Sequence, residues 1–134
     1  MVYYTTWDWL IDTSDLYKEW VGHVPEFIGI RQNDFLVIAR DDSNKIVGAA
    51  QLLIIDDPIW DRTWGLVENV FVTKLYRNCG IGKGLMRFVE EQAKLLGCDF
   101  IKLTTRKPEG RELYRSLGYD EGSSFYKKFK EEYR

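Results

Sequence analysis

The sequence predicts a mixed α/β domain, a mostly antiparallel sheet with one parallel strand pair inside it and helices against it. Three observations carry that reading. Two apolar runs, 35–40 and 45–55, are joined by Asp41-Asp42-Ser43-Asn44, a string of turn formers that makes an antiparallel hairpin of them. A third run, 66–72, passes through a glycine-rich stretch into an amphipathic segment and then into a fourth run, 99–104. A strand, helix and strand of this size imply a parallel pair with a right-handed crossover. Last, Pro108 suits the first turn of another helix, with Leu113, Tyr114 and Leu117 on one face and Gly118 at its end.

The remaining elements follow in chain order. Residues 2–6 are β-branched and aromatic, a short edge strand. Asp12-Thr13-Ser14-Asp15 is rich in N-cap residues, and Leu16, Trp20 and Val21 follow at helical spacing, so a helix runs over about 14–22 and ends near Gly22. Pro25 prevents its continuation, and 26–33 has mixed signals. Residues 56–65 are expected to form a loop holding three aspartates and two tryptophans, either a solvated turn or a lip that binds an acceptor. In the amphipathic segment Leu85, Met86, Val89, Ala93 and Leu96 recur at three- and four-residue steps, and Gly97 stands where a C-cap belongs. Gly118-Tyr119 and 124–129 are expected to close the sheet as an antiparallel pair, followed by a charged, fraying tail.

A chain of 134 residues is one domain's worth, expected to span 1–134. Charged residues make up 30% and the net charge is −2, so the global basic excess of a nucleic-acid binder is missing. No apolar run reaches the length of a membrane span, and the Met1-Val2-Tyr3-Tyr4 start lacks a signal-peptide pattern, which predicts a cytoplasmic protein with no membrane partner. Cys79 and Cys98 are too few for a disulfide framework and have no metal-ligand spacing, so both read as free thiols and no metal is expected. His23 has no evident acid or cysteine partner.

The chemistry concentrates in the stretch after Val72: Lys74-Leu75-Tyr76-Arg77-Asn78-Cys79-Gly80-Ile81-Gly82-Lys83-Gly84. Glycines at 80, 82 and 84 let a ligand approach the backbone and permit positive φ, and a glycine loop feeding a helix N-terminus is an anion site. Arg77 and Lys83 add charge at its ends. The Rossmann fingerprint would need glycine at 85, where Leu85 stands, and a Walker loop would need Ser or Thr at Gly84, so both nucleotide readings lose. What remains, Arg77-x-x-Gly80-x-Gly82 directly after an apolar strand, resembles the pyrophosphate loop of the GNAT acyltransferase superfamily.

That resemblance, strongest at 70–84, implies an acetyl-CoA-dependent N-acyltransferase whose two parallel strands splay apart. It implies that backbone groups of Val70, Phe71 and Val72 pair with the pantetheine arm, and that Arg77, Asn78, Cys79, Gly80, Ile81, Gly82, Lys83 and Gly84 hold the phosphates. It also implies an amine-bearing acceptor, and a homodimer as family members often form. The segment Gly110–Tyr119 is similar to the family's second motif, which places Tyr114 near the thioester sulfur as the acid; packing on the amphipathic face is the alternative role. Lys107 stands where the family has Asn and is expected at the phosphates instead. Glu68 breaks an apolar strand, as a general base or as the partner of a buried cation, while alternation sends Asn69 to the opposite face. A non-catalytic CoA-binding sensor or interaction module is the rival reading.

Overall fold

The computed structural model describes residues 1–6, 14–22, 33–105, 108–122 and 127–129. The chain forms two compact units, Met1–Thr104 and Thr105–Arg134. The first holds β1 (Tyr3–Thr6), α1 (Ser14–Val21), β2 (Asp34–Arg40), β3 (Ile46–Asp57), β4 (Arg62–Val72), a 3-10 turn (Lys74–Tyr76), α2 (Ile81–Leu95) and β5 (Ile101–Leu103). The second holds α3 (Pro108–Ser116).

The described strands form one sheet in the order β1-β2-β3-β4-β5. Pairing is antiparallel from β1 to β4 and parallel between β4 and β5, with α2 as the crossover, which is the mixed sheet the sequence predicts. Alternation sorts the side chains between two faces. Toward α2 lie Val37, Ala39, Ala50, Leu52 and Val67, all buried, against the helix stripe Ile81, Leu85, Met86, Val89 and Ala93. Gly48 lets that helix come close: a Cβ there would stand 3.0 Å from Leu85 Cδ1 and 3.3 Å from Ile81 Cγ2. On the other face Leu16 of α1 packs with Ile38, Ile46 and Ala49, with Leu36 and Phe71 at the rim.

Both main helices end alike. Gly97 (φ +84) follows α2, with Cys98 N bonding Ala93 O and Gly97 N bonding Lys94 O. Gly118 (φ +88) follows α3, with Tyr119 N bonding Tyr114 O and Gly118 N bonding Arg115 O. These are Schellman motifs, in which glycine takes the left-handed position that other residues resist.

Three expectations are corrected. The loop over 56–65 shrinks to a turn at 58–61, because β3 runs on to Asp57 and β4 begins at Arg62. Its aspartates hold the hairpin together: Asp57 Oδ1 accepts from Ile59 N at 3.0 Å and Trp60 N at 3.3 Å, and Asp56 Oδ1 accepts from Thr63 Oγ1 at 2.8 Å. The turn sits at the end of β4 remote from the glycine loop. The strand over 99–104 is only three residues long. In the closing pair, 119–122 and 127–129 form no strand, and 123–126 lie outside the described residues. His23 also lies outside them, and among the described residues no helix is long and apolar enough to cross a membrane.

Candidate active site

Strand β4 is irregular where it matters. Its register with β3 runs from Asp57↔Arg62 to Gln51↔Glu68 and then slips, so that Ala49 faces Phe71. Asn69 and Val70 therefore stand opposite Ala50 alone, a bulge in which Asn69 takes φ 54. The parallel ladder with β5 covers Gly65, Leu66 and Val67 and ends there. From Glu68 onward, β4 is laddered on its β3 side only, among the described residues. Val70, Phe71 and Val72 are half-buried on this open edge, where an extended ligand bearing amides can pair as an added strand.

The bulge also revises the expected alternation. The side chain of Asn69 donates from Nδ2 to Oε1 of Gln51 at 2.8 Å, and Gln51 is the cross-strand partner of Glu68. Asn69 and Glu68 thus serve the same face, because one left-handed residue undoes the two-residue period. Glu68 is half-buried there, with no hydrogen bond or ion pair among the described residues.

Past Val72 the chain is fixed by Thr73, which is buried and bonds Val47 O through its N–H at 2.9 Å. Asn78 (φ 61) and Gly80 (φ 82) turn the chain into α2. Gly82 and Gly84 already lie inside the helix, so of the three glycines only Gly80 uses its positive-φ freedom. The first helical bond is Gly84 N to Gly80 O at 3.1 Å, which leaves the N–H groups of Ile81, Gly82 and Lys83 without intrahelical acceptors. No side chain caps them. Three converging amides at the positive end of a fifteen-residue helix form an anion cradle, with exposed Asn78, Cys79 and Lys83 at its rim.

Two loop residues do work the sequence did not indicate. Arg77 donates from Nε to Val72 O at 3.0 Å and lies over the Phe71 ring at 5.6 Å, tying the loop to the end of β4. Gly84 makes room for Tyr4: a Cβ there would overlap the phenol, which stacks with Phe88 at 6.4 Å. Burial raises the Tyr4 phenol above its usual range.

In the second unit Tyr114 is buried, and burial raises its phenol above the usual value. Its ring meets Tyr119 edge-on at 5.9 Å, the apolar contact that accompanies a Schellman end. Gly110 lies against Thr105, where a Cβ would crowd the hydroxyl. Lys107 lies outside the described residues.

A mixed sheet with one short parallel pair, a bulged strand opening beside it and an uncapped helix after a glycine turn defines an acyltransferase-type α/β fold. The model of the acetyltransferase (GNAT) family matches residues 2–119, and the chain belongs to that family. Solved structures agree in fold. Glucosamine-6-phosphate N-acetyltransferase from Arabidopsis thaliana superposes with a TM-score of 0.81 at 16% identity, over 96% of this chain and 98% of that one. A transcriptional regulator from Bacillus halodurans does so at 0.81 and 21%, over 96% and 99%. A predicted acetyltransferase from Clostridium acetobutylicum, with acetyl-CoA, gives 0.71 and 20%, over 95% of each chain.

Proposed function

We propose that the chain is an N-acetyltransferase that moves an acetyl group from acetyl-CoA directly to a primary amine. The observation that carries this reading is the unladdered edge of β4 leading straight into the uncapped N-terminus of α2. Coenzyme A has an amide-bearing arm and a pyrophosphate joined end to end, the two chemistries this edge and this cradle accept in the same order. The residues present fit it: Val70, Phe71 and Val72 offer backbone groups, Ile81, Gly82 and Lys83 offer amides, and Lys83 adds charge.

Direct transfer forms a C–N bond and breaks the thioester C–S bond, while the amine loses one proton and the sulfur gains one. Holding the reactants together supplies much of the rate. Glu68 takes the proton of the amine, directly or through water, from the face it shares with Gln51. The role of protonating the sulfur falls to Tyr114 by the resemblance of its segment to the family's second motif; a phenol already carries its proton at neutral pH, and burial raises its pKa further.

The test is thiol release from acetyl-CoA in the presence of a panel of primary amines. Glu68→Gln is expected to lower turnover by about 10²- to 10⁴-fold with acetyl-CoA affinity unchanged. Acetyl-CoA binding with no release on any amine would instead mark a CoA-binding sensor.

A further inference from the structure

Across the sheet face that holds Glu68 runs a chain of side-chain hydrogen bonds. The Asp34 carboxylate, at the start of β2, accepts from Gln51 Nε2 at 3.0 and 3.2 Å, and Gln51 Oε1 accepts from Asn69 Nδ2 at 2.8 Å. An ionised carboxylate can only accept, so Gln51 must turn its NH₂ group toward Asp34 and its carbonyl toward Asn69. Asn69 in turn must give its NH₂ group to Gln51, which leaves Oδ1 as the free end of its amide. Direction is thereby passed across three strands to one oxygen.

That oxygen belongs to an exposed residue at the bulge, next in sequence to Glu68 and at the point where β4 leaves β5. Neither Asn nor Gln is favoured in a strand interior, and bulges gather beside active sites, where they re-aim a side chain. Of the three aspartates that composition would offer to a cation, Asp56 and Asp57 are committed to the far hairpin, and Asp61 lies in its exposed turn. Two side-chain acceptors adjacent in sequence on this stretch of β4 are Asn69 Oδ1 and the Glu68 carboxylate.

We infer that Asn69 Oδ1 and the Glu68 carboxylate form a two-point seat for the nitrogen of the acceptor, and that Asp34 and Gln51 are positioning residues that fix which end of the Asn69 amide faces it. The inference rests on the acetyltransferase reading above. Two acceptors on one face suit a primary amine, which has several N–H donors. An alcohol, with one O–H, satisfies only one of the two and leaves the other unpaired.

The test compares Asn69→Gly and Asp34→Asn with the parent, on the panel member acetylated fastest among spermidine, tyramine, glucosamine 6-phosphate and a tripeptide amino terminus. Glycine keeps the positive φ of the bulge and removes only the amide. Asparagine at 34 can donate as well as accept, so the chain loses its direction. Both variants are expected to raise the amine KM by about tenfold, a larger change than in kcat, with the acetyl-CoA KM within about twofold of the parent. Parent turnover with an unchanged amine KM in both variants overturns this inference and leaves the acetyltransferase reading standing. A rise in the acetyl-CoA KM alone also overturns it, because the chain would then serve the bulge backbone and not the amine. Absence of turnover by the parent on every amine removes both.

Discussion

At Tyr114 one residue has an observed packing contact and a proposed catalytic role that a single substitution can separate. Its edge-on meeting with Tyr119 needs the ring, whereas protonating a leaving thiolate needs the hydroxyl. Tyr114→Phe is therefore expected to keep the melting temperature and acetyl-CoA affinity while kcat falls by about 10²- to 10⁴-fold. Normal kcat with a lowered melting temperature would make Tyr114 a packing residue and leave the acid to another group. Gly84 poses the reverse question, since its absent side chain accommodates Tyr4. Gly84→Ala should destabilise the fold by about 1–3 kcal/mol through overpacking, and most of that loss should vanish in a Tyr4→Ala background. Additive losses in denaturant titrations would disprove the pairing. Asn69 shows how a single residue's chemistry can be missed: among the described residues, the non-glycine residues with positive φ are Asn33, Asn44, Asp61, Asn69 and Asn78, all of the short amide or acid type that tolerates that region. An asparagine inside an apolar strand run was the available signal for the bulge.

Among the elements, the hairpin connector shows a turn locked by one carboxylate. Asp41 Oδ1 accepts from Ser43 N, Ser43 Oγ and Lys45 N, and Oδ2 accepts from the Tyr76 hydroxyl at 2.8 Å, which also anchors the turn that precedes the glycine loop. The Ser43 hydroxyl first, and then Tyr76, lower the Asp41 pKa to about 2. Because the folded value lies below the unfolded value of about 3.9, the stabilisation is complete above about pH 4 and is lost as pH falls toward 2. Asp41→Asn should lower the melting temperature at neutral pH, and its deficit should shrink as pH drops through that window; a deficit constant from pH 6 to pH 2 would deny the carboxylate its role. Much of the architecture was legible because it depends on local patterns. The α2 stripe and Gly97, the turn formers at 41–44 and the Arg77-x-x-Gly80-x-Gly82 string each carry their meaning within a few residues. What was not legible depends on partners distant in sequence. The bulge at Asn69 is set by the register of β4 against β3, the short ladder of Gly65–Val67 by its pairing with Ile101–Leu103, and the place of Gly84 by Tyr4 eighty residues away.

For the whole molecule the property on which the proposal turns is one continuous path, an unladdered strand edge and then an uncapped helix N-terminus, that offers two chemistries to one ligand. A ligand that matches both should bind more tightly than one that matches only the phosphate cradle, and binding to the native state alone raises the melting temperature. Acetyl-CoA at about one hundred times its Kd would add about 2.7 kcal/mol, a shift of several degrees for a chain of this size. ATP and NAD carry phosphates but no arm of successive amides to lie along β4, so at equal concentration each should shift the midpoint less. Gly82→Asp places a side chain and a negative charge among the amides of Ile81, Gly82 and Lys83, and it should abolish the acetyl-CoA shift while the unliganded protein still folds cooperatively. If the aspartate variant retained the full shift, the glycine stretch would be a turn and no more. If ATP matched acetyl-CoA, the open edge of β4 would contribute nothing to binding, and the pairing of strand and loop on which the proposed activity depends would have to be given up.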